Sequence, residues 1–413
     1  MQRFRIGVNY WPRSSAMQMW RRFDLGEIDE DFAHMRALGF EVVRFFLDWE
    51  AFQPEPFETE PEMLRRFDRV MERAAAHGLR TMPTLFTGHM SGVNWLPAWA
   101  LDAAVPAGRF RTLAGGAESP SGSGDPYAGE LLETQRWFAR RLGLRARDDG
   151  TLLAWDLGNE FSNVRAPASE REAAHWSAAL THDLYAASNR PATGGIHGED
   201  LTRDRALRPS SIAEPWAFVS MHGYSVYSEF ARGRLDVEVV PFLGALAASF
   251  ARKPLFFTEL GNPACPPGTH SVLERVALPD EVAPGPGEAA TRDPSAAPYA
   301  CLDESEMATY AAATIDRLHA RGALGALWWC WSDYAEALAT EPPFDRAPHE
   351  LRFGIVRADG SEKPVAEALA RIARERRLVA AHDAPLRLDE RAYYATLPEA
   401  TSAAYRDYLA AYA

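Results

Sequence analysis

Short apolar runs alternate with amphipathic segments along the whole chain. Runs of strand length fall at 4–11, 41–48, 79–86, 152–159, 191–197, 217–223, 254–260 and 324–331. Their length and near-continuous apolar character fit strands buried on both faces. Between them the spacing switches to the helical period. Glu27–Leu38 places Ile28, Phe32, Met35 and Leu38 on one face and ends at Gly39, a C-cap residue. Glu60–His77 does the same through Met63, Leu64, Phe67, Val70 and Met71, and stops at Gly78. Further helices are predicted over 129–142, 169–187, 239–251, 304–321 and 362–377. Eight strands alternating with helices predict an α/β fold, a (β/α)8 TIM barrel. The alternative is a doubly wound open sheet; no Gly-x-Gly-x-x-Gly follows the first strand, which weighs against it.

Two connections are longer than a barrel needs. Residues 87–128 follow strand 3 and contain Gly115-Gly116 and a Ser/Gly-rich stretch at 119–124. Residues 262–303 follow strand 7 and carry Pro263, Pro266, Pro267, Pro284 and Pro286. Both are βα loops, so both are expected at the C-terminal face, walling one end of a cleft. The expected division is a barrel over 1–379 and a C-terminal extension over 380–413, helical from Ala392 and packed on the barrel exterior.

Two of the strand runs end in a carboxylate. One runs from Leu152 through Trp155-Asp156-Leu157-Gly158-Asn159 to Glu160, and the other from Pro254 through Phe256-Phe257-Thr258 to Glu259. Strand tips at the C-terminal face are where barrels carry chemistry. Two carboxyls facing each other there supply what glycoside hydrolysis requires. Arg44 lies among Val42, Val43, Phe45 and Phe46, so it is expected to be buried and to need an anionic partner. A structural pair and a neighbour of Glu259 are both open to it. Asp156 shares parity with Glu160 and should point into the barrel. Six tryptophans fall near predicted strand ends: Trp11, Trp49, Trp95, Trp99, Trp329 and Trp331. Flat rings with a polar edge suit sugars, and core packing is the alternative for each. Asp48, Glu50 and Asp333 are further candidates for sugar hydroxyls.

Taken in order on their strands, these residues resemble the clan A glycoside hydrolases, and family 5 among them. Asn159-Glu160 matches the family's Asn-Glu pair, in which the Glu is acid/base, and Glu259 matches the nucleophile. Arg44, His89, His222 with Tyr224 (His-x-Tyr), and Trp329 match the family's remaining site positions. The resemblance implies a retaining β-glycosidase. Arg44 and Tyr224 would favour the charged form of Glu259, Glu160 would donate and then abstract a proton, and Asn159 would bond the sugar 2-hydroxyl. His89, His222 and Trp329 could instead be ordinary packed residues, and Trp331, Trp95 and Trp49 are the other candidate substrate contacts. Gly88-His89-Met90-Ser91-Gly92 leading to Trp95-Leu96-Pro97, with Leu157–Phe161, looks like the β-mannosidase and mannanase branches.

Composition narrows the remainder. A net charge of −13 argues against nucleic acid or an anionic membrane as partner and fits a neutral ligand better; the resemblance implies that this ligand is a carbohydrate. The 11 histidines include no His-x-His and no His-Glu-x-x-His, so neither metal nor cofactor is expected. Three cysteines imply no disulfide framework; Cys265 and Cys301 share one loop and their pairing is left open. Residues 3–11 read as a strand, not a secretory leader, so a cytoplasmic protein is expected, or a secreted one whose leader has been trimmed. Oligomeric state is not legible. The expected activity is on β-mannosides or short manno-oligosaccharides from the non-reducing end. β-Glucosidase, endo-glucanase or mannanase, transglycosylase and a non-hydrolytic carbohydrate-binding barrel are the alternatives.

Overall fold

A computed structural model describes residues 2–273, 300–381 and 386–412. Eight parallel strands close into a barrel in sequential order. They are β1 (Arg5–Tyr10), β2 (Val42–Phe46), β3 (Arg80–Phe86), β4 (Trp155–Asn159), β5 (Ala192–His197), β6 (Val219–His222), β7 (Leu255–Leu260) and β8 (Gly325–Trp328). β8 pairs with β1 to complete the ring, Val8 facing Trp328 in the register. Glu259 sits in the last turn of the β7 ladder, opposite His222 of β6.

The interior is layered. Val42, Met82, Ala154, Phe218, Phe256, Leu324 and Leu327 form a separate apolar cluster inside the ring. Two residues further along the same strands the side chains turn polar: Arg44, Thr84 and Asp156, all buried. A period of two keeps them on the same inward face. The second, larger core lies between the strands and the outer helices.

The outer helices are Leu25–Leu38, Pro61–Ala76, Gly129–Arg145, Glu170–Ser188, Val239–Ala251, Glu304–Ala320 and Pro364–Glu375. Asp24, Ser169 and Asp303 cap three of them, each accepting from first-turn amides. Short helices at Gly198–Thr202 and Pro209–Ile212 stand between β5 and β6. Helix Val239–Ala251 is buried nearly all round because the C-terminal segment covers its outer side. There helices Glu390–Ala395 and Glu399–Tyr412 bring Tyr405 and Tyr408 onto Phe242 and Tyr393 onto Phe250.

The connection after β3 is more ordered than its Gly/Ser content predicts. Gly88–Met90, Val93–Trp95, Arg111–Ala114 and Ala117–Ser119 form a small sheet. Leu101–Pro106 pairs with Ser121–Ser123 in a second. This excursion is anchored across the barrel mouth. Arg111 pairs with Asp345 at 2.9 Å, Arg346 with Glu118 at 2.9 Å, and Arg109 with Glu199 at 2.7 Å. In the connection after β7, Cys265 and Cys301 form a disulfide, which settles the pairing left open by the sequence. Pro284 and Pro286 lie outside the described residues. Strand β8 ends at Trp328, three residues before its apolar run does, and the Trp329–Cys330 peptide is cis.

Candidate active site

Arg44 is the centre of the polar layer. It is fully buried, so every N–H needs a partner inside the protein. Its Nε and Nη2 donate to Asp156 Oδ2 at 2.8 and 2.6 Å, and Nη2 also donates to Asn159 Oδ1 at 2.8 Å. Nη1 donates to Asn9 Oδ1 at 2.9 Å and to Glu259 Oε2 at 3.1 Å. Thr84 Oγ1 donates to the same Asp156 oxygen at 2.7 Å. The structural pair and the neighbour of Glu259 are therefore both present, with Asp156 as the main counter-ion.

Glu259 receives a second strong donor, the Tyr224 hydroxyl, at 2.5 Å from Oε1. Burial pushes its carboxyl above the ordinary glutamate value. Glu160 adds to that, while His222, Arg44 and Tyr224 oppose it. Arg44 and Tyr224 favour the charged form, as the sequence leads one to expect, but desolvation outweighs them. Burial likewise drives the Tyr224 phenol well above its ordinary value, so it stays a donor.

Glu160 leaves β4 in a left-handed backbone conformation (φ 48°, ψ 48°) and opens a 3-10 turn over Phe161–Asn163. Such a backbone is uncommon for a residue with a side chain and clusters at functional positions. His222 Nδ1 lies 3.2 Å from Glu160 Oε1 and 3.6 Å from Glu259 Oε2. Donor atoms of Glu160, His222 and Glu259 all lie within 4.8 Å of one another. Among the described residues this is the group able to share a metal ion, though the Arg44 guanidinium already supplies positive charge there. Burial pushes His222 and His89 down to about 4, so both rings are neutral at ordinary pH. Two glycines make the crowding possible. A Cβ on Gly195 would lie 3.0 Å from the His222 ring, and one on Gly88 (φ +57°) 2.7 Å from Phe161.

Asn159 gives its amide oxygen to Arg44 and one amide hydrogen to the His89 carbonyl at 2.6 Å. Its second hydrogen is left for a ligand. His89 bonds Asn94 through Nδ1 at 2.9 Å. Trp329 is buried edge-on to Phe46 at 5.9 Å between ring centres, beside the Glu350 carboxyl.

The other tryptophans are divided between enclosed and half-buried positions. Trp49 is enclosed by Phe86, Trp99 and Phe161, with its indole N–H on Gln53. Trp331 points outward under helix Leu25–Leu38, edge-on to His34. The ladder ends at Trp328, so strand alternation does not set the directions of Trp329 and Trp331. Trp11 stacks on Phe46. Trp95 and Trp99 are half-buried, their N–H groups on the Met90 and Gln53 carbonyls. Asp48 caps a short helix and pairs with Arg21; Glu50 also pairs with Arg21. Asp333 holds Lys363 at 2.7 Å. Each of these carboxylates has a cationic partner within the protein.

Residues absent from the sequence reading also stand at the site. His197, at the tip of β5, lies 3.9 Å from Glu160 Oε2. Its position at the end of a strand run was a usable signal. Glu350, in the 3-10 turn Pro348–Arg352, had none. Ser91 Oγ donates to its Oε2 at 2.9 Å, joining the loops after β3 and β8. Burial raises this carboxyl from 4.5 to about 7. Between those values the folded protein keeps a proton that the unfolded chain has lost. Stability from this group therefore falls as pH rises through that window and is level above it. Glu350→Gln is expected to gain thermal stability relative to the parent at pH 8 compared with pH 5. An equal difference in Tm at the two pH values would rule this out.

No family model and no curated protein sequence matches the chain. Solved structures do. A variant of GH5_18 from Streptomyces cattleya, in complex with Manβ1-4GlcNAc, is 22% identical with a TM-score of 0.72, covering 92% of this chain and 83% of that one. The exo-β-1,4-mannosidase Op5Man5 from Opitutaceae bacterium strain TAV5 is 24% identical with a TM-score of 0.70, covering 91% and 60%. A β-galactosidase from the psychrophilic Marinomonas ef1 is 14% identical with a TM-score of 0.60, covering 90% and 59%. Likeness at these identities carries the architecture: the chain has the closed (β/α)8 barrel fold of these proteins.

Proposed function

We propose that this protein is a retaining β-glycosidase of the family 5 type, with Glu259 as nucleophile and Glu160 as acid/base. The observation that carries this is the spacing: the nearest Glu160 and Glu259 oxygens lie within 4.8 Å of each other. Retaining sites hold their carboxyls about 5–5.5 Å apart, whereas inverting sites leave about 6.5–9.5 Å for a water. Arg44 and Tyr224 both donate to Glu259, which orients it and favours its charged form against the burial that opposes it. Glu160 accepts from Asn163 and lies beside His222 rather than on a guanidinium, and it is the carboxyl placed to protonate the leaving oxygen. In the first step Glu259 attacks the anomeric carbon as Glu160 protonates the departing oxygen. In the second, Glu160 takes a proton from water, which displaces Glu259. Asn159 offers its remaining amide hydrogen to the sugar.

The substrate class we infer is β-mannoside, cleaved from the non-reducing end. The loop anchors across the mouth (Arg111–Asp345, Arg109–Glu199, Ser91–Glu350) support a cleft closed at one end. Proteins of the same fold that act on a β-1,4-mannoside or bind Manβ1-4GlcNAc support the sugar.

Initial rates on 4-nitrophenyl β-mannoside, glucoside, galactoside, xyloside and fucoside, beside mannan and cellulose oligosaccharides, test both parts. The mannoside is expected to be cleaved fastest, with the β-anomer released first by NMR. Cleavage of oligosaccharides alone would mean an open cleft and end the exo reading. Binding without cleavage of anything would end the enzyme reading.

A further inference from the structure

The reaction needs Glu160 to hold one orientation through two proton transfers, and its own backbone does not supply that. Its side chain is the more exposed of the pair, 15% against 7% for Glu259. What surrounds its outer oxygen is a set of polar groups from the 3-10 turn after β4 and the segment after β5. Asn163 Nδ2 donates to Glu160 Oε2 at 3.2 Å. Asn163 is itself fixed: its Oδ1 accepts from Arg205 Nη1 at 2.6 Å, and Arg205 pairs with Glu199. On the other side stands His197, with Nδ1 3.9 Å from the same oxygen. The far nitrogen of His197 lies 2.9 Å from Ser162 Oγ, which donates to Asp200 Oδ1 at 2.6 Å. The second oxygen of Asp200 accepts from the His197 backbone N–H at 3.1 Å, so ring and main chain are held together. Asp200 is in turn tied to the C-terminal segment, where the Tyr394 hydroxyl donates to its carbonyl at 2.8 Å.

Resting on the assignment of Glu160 as acid/base, we propose that Asn163 and His197 are positioning residues for that carboxyl. Asn163 fixes the angle at which Glu160 presents its proton, and His197 with its Ser162–Asp200 backing keeps the outer oxygen from turning away. His222 holds the inner oxygen and faces the nucleophile as well, so it cannot do this alone. Such a pair acts on proton transfer and leaves the attack by Glu259 unchanged. That separates it from a structural role, since general plasticity of the cleft would slow every substrate alike.

The experiment uses the full chain and a series of aryl β-glycosides, from 2,4-dinitrophenyl, whose departure needs no proton, to 4-methoxyphenyl, whose departure does. Asn163→Ala and His197→Asn are each expected to lose at least about ten-fold more kcat/KM on the methoxyphenyl than on the dinitrophenyl glycoside, a modest share of what misplacing a catalytic group costs. Thermal unfolding identifies any variant that has not folded, and the other variant then carries the test. An equal loss on all leaving groups, or no loss at all in both variants, overturns the proposal. Glu160→Gln run in parallel keeps the two levels apart. If Glu160→Gln shows no leaving-group dependence, the acid/base assignment has failed. If it does while Asn163→Ala and His197→Asn do not, the positioning role alone has failed.

Discussion

Glu259→Gln is expected to reduce turnover of every β-glycoside by a factor on the order of 10⁴ or more, because it removes the proposed nucleophile and an amide cannot replace it. The variant should fold. Gln has the shape of Glu, its amide oxygen still accepts from Arg44 or Tyr224, and burial already opposes charge at this position. Arg44 keeps Asp156, its nearest counter-ion. Glu160→Gln should fail differently. It loses acid catalysis, worth about 10²–10⁴-fold, on substrates with poor leaving groups, but still forms the glycosyl-enzyme from dinitrophenyl glycosides. Adding azide should then speed release, since a small anion needs no base. Near-parental rates for either variant on 4-methoxyphenyl glycosides would remove the assignment.

The second large effect is on Arg44. Arg44→Met strips the donors from Asp156, Asn9, Asn159 and Glu259 at once. Asp156 is left fully buried with Thr84 as its remaining side-chain donor. Removing one partner of a buried pair costs about 3–5 kcal/mol, read as a shift in the denaturant midpoint. Activity should fall with it, because Glu259 and Asn159 lose the group that orients both. The double variant Arg44→Met/Asp156→Asn separates the two consequences. Removing the orphaned charge should return much of the stability and none of the turnover. Recovery of both would mean Arg44 matters to the site through folding alone; recovery of neither would mean that Asp156 is not the group left stranded.

The barrel was legible because most strands are near-continuous apolar runs and the helices between them keep the helical period, and those are local properties of the chain. The two carboxylates were legible for the same reason: a charge that ends a buried run has few ordinary explanations. The tryptophans were not. Whether Trp49 faces a ligand or packs between Phe86 and Phe161 is decided by residues far away in sequence. The end of β8 was misjudged because Trp329-Cys330-Trp331 stays apolar after the ladder stops. Its amides turn to scattered partners, on Leu260, Phe353 and Asn9. The small sheets after β3 were invisible, since segments such as Ala117–Ser119 have no alternation to detect. Glu350 sits in a polar turn whose burial arises only when the β3 excursion closes over it.

The Cys265–Cys301 bridge ties together the two ends of a span 36 residues long. On the chain-entropy account, a cross-link of that length lowers the freedom of the unfolded chain by about 4 kcal/mol. Bonds of this kind persist in oxidising surroundings and are kept open by cytosolic thiols. The rim of the barrel beside Glu259 is therefore sensitive to redox conditions although no step of the chemistry is. In an oxidising compartment the base of that loop is locked. In a reducing cytosol the same chain would run without that covalent cross-link.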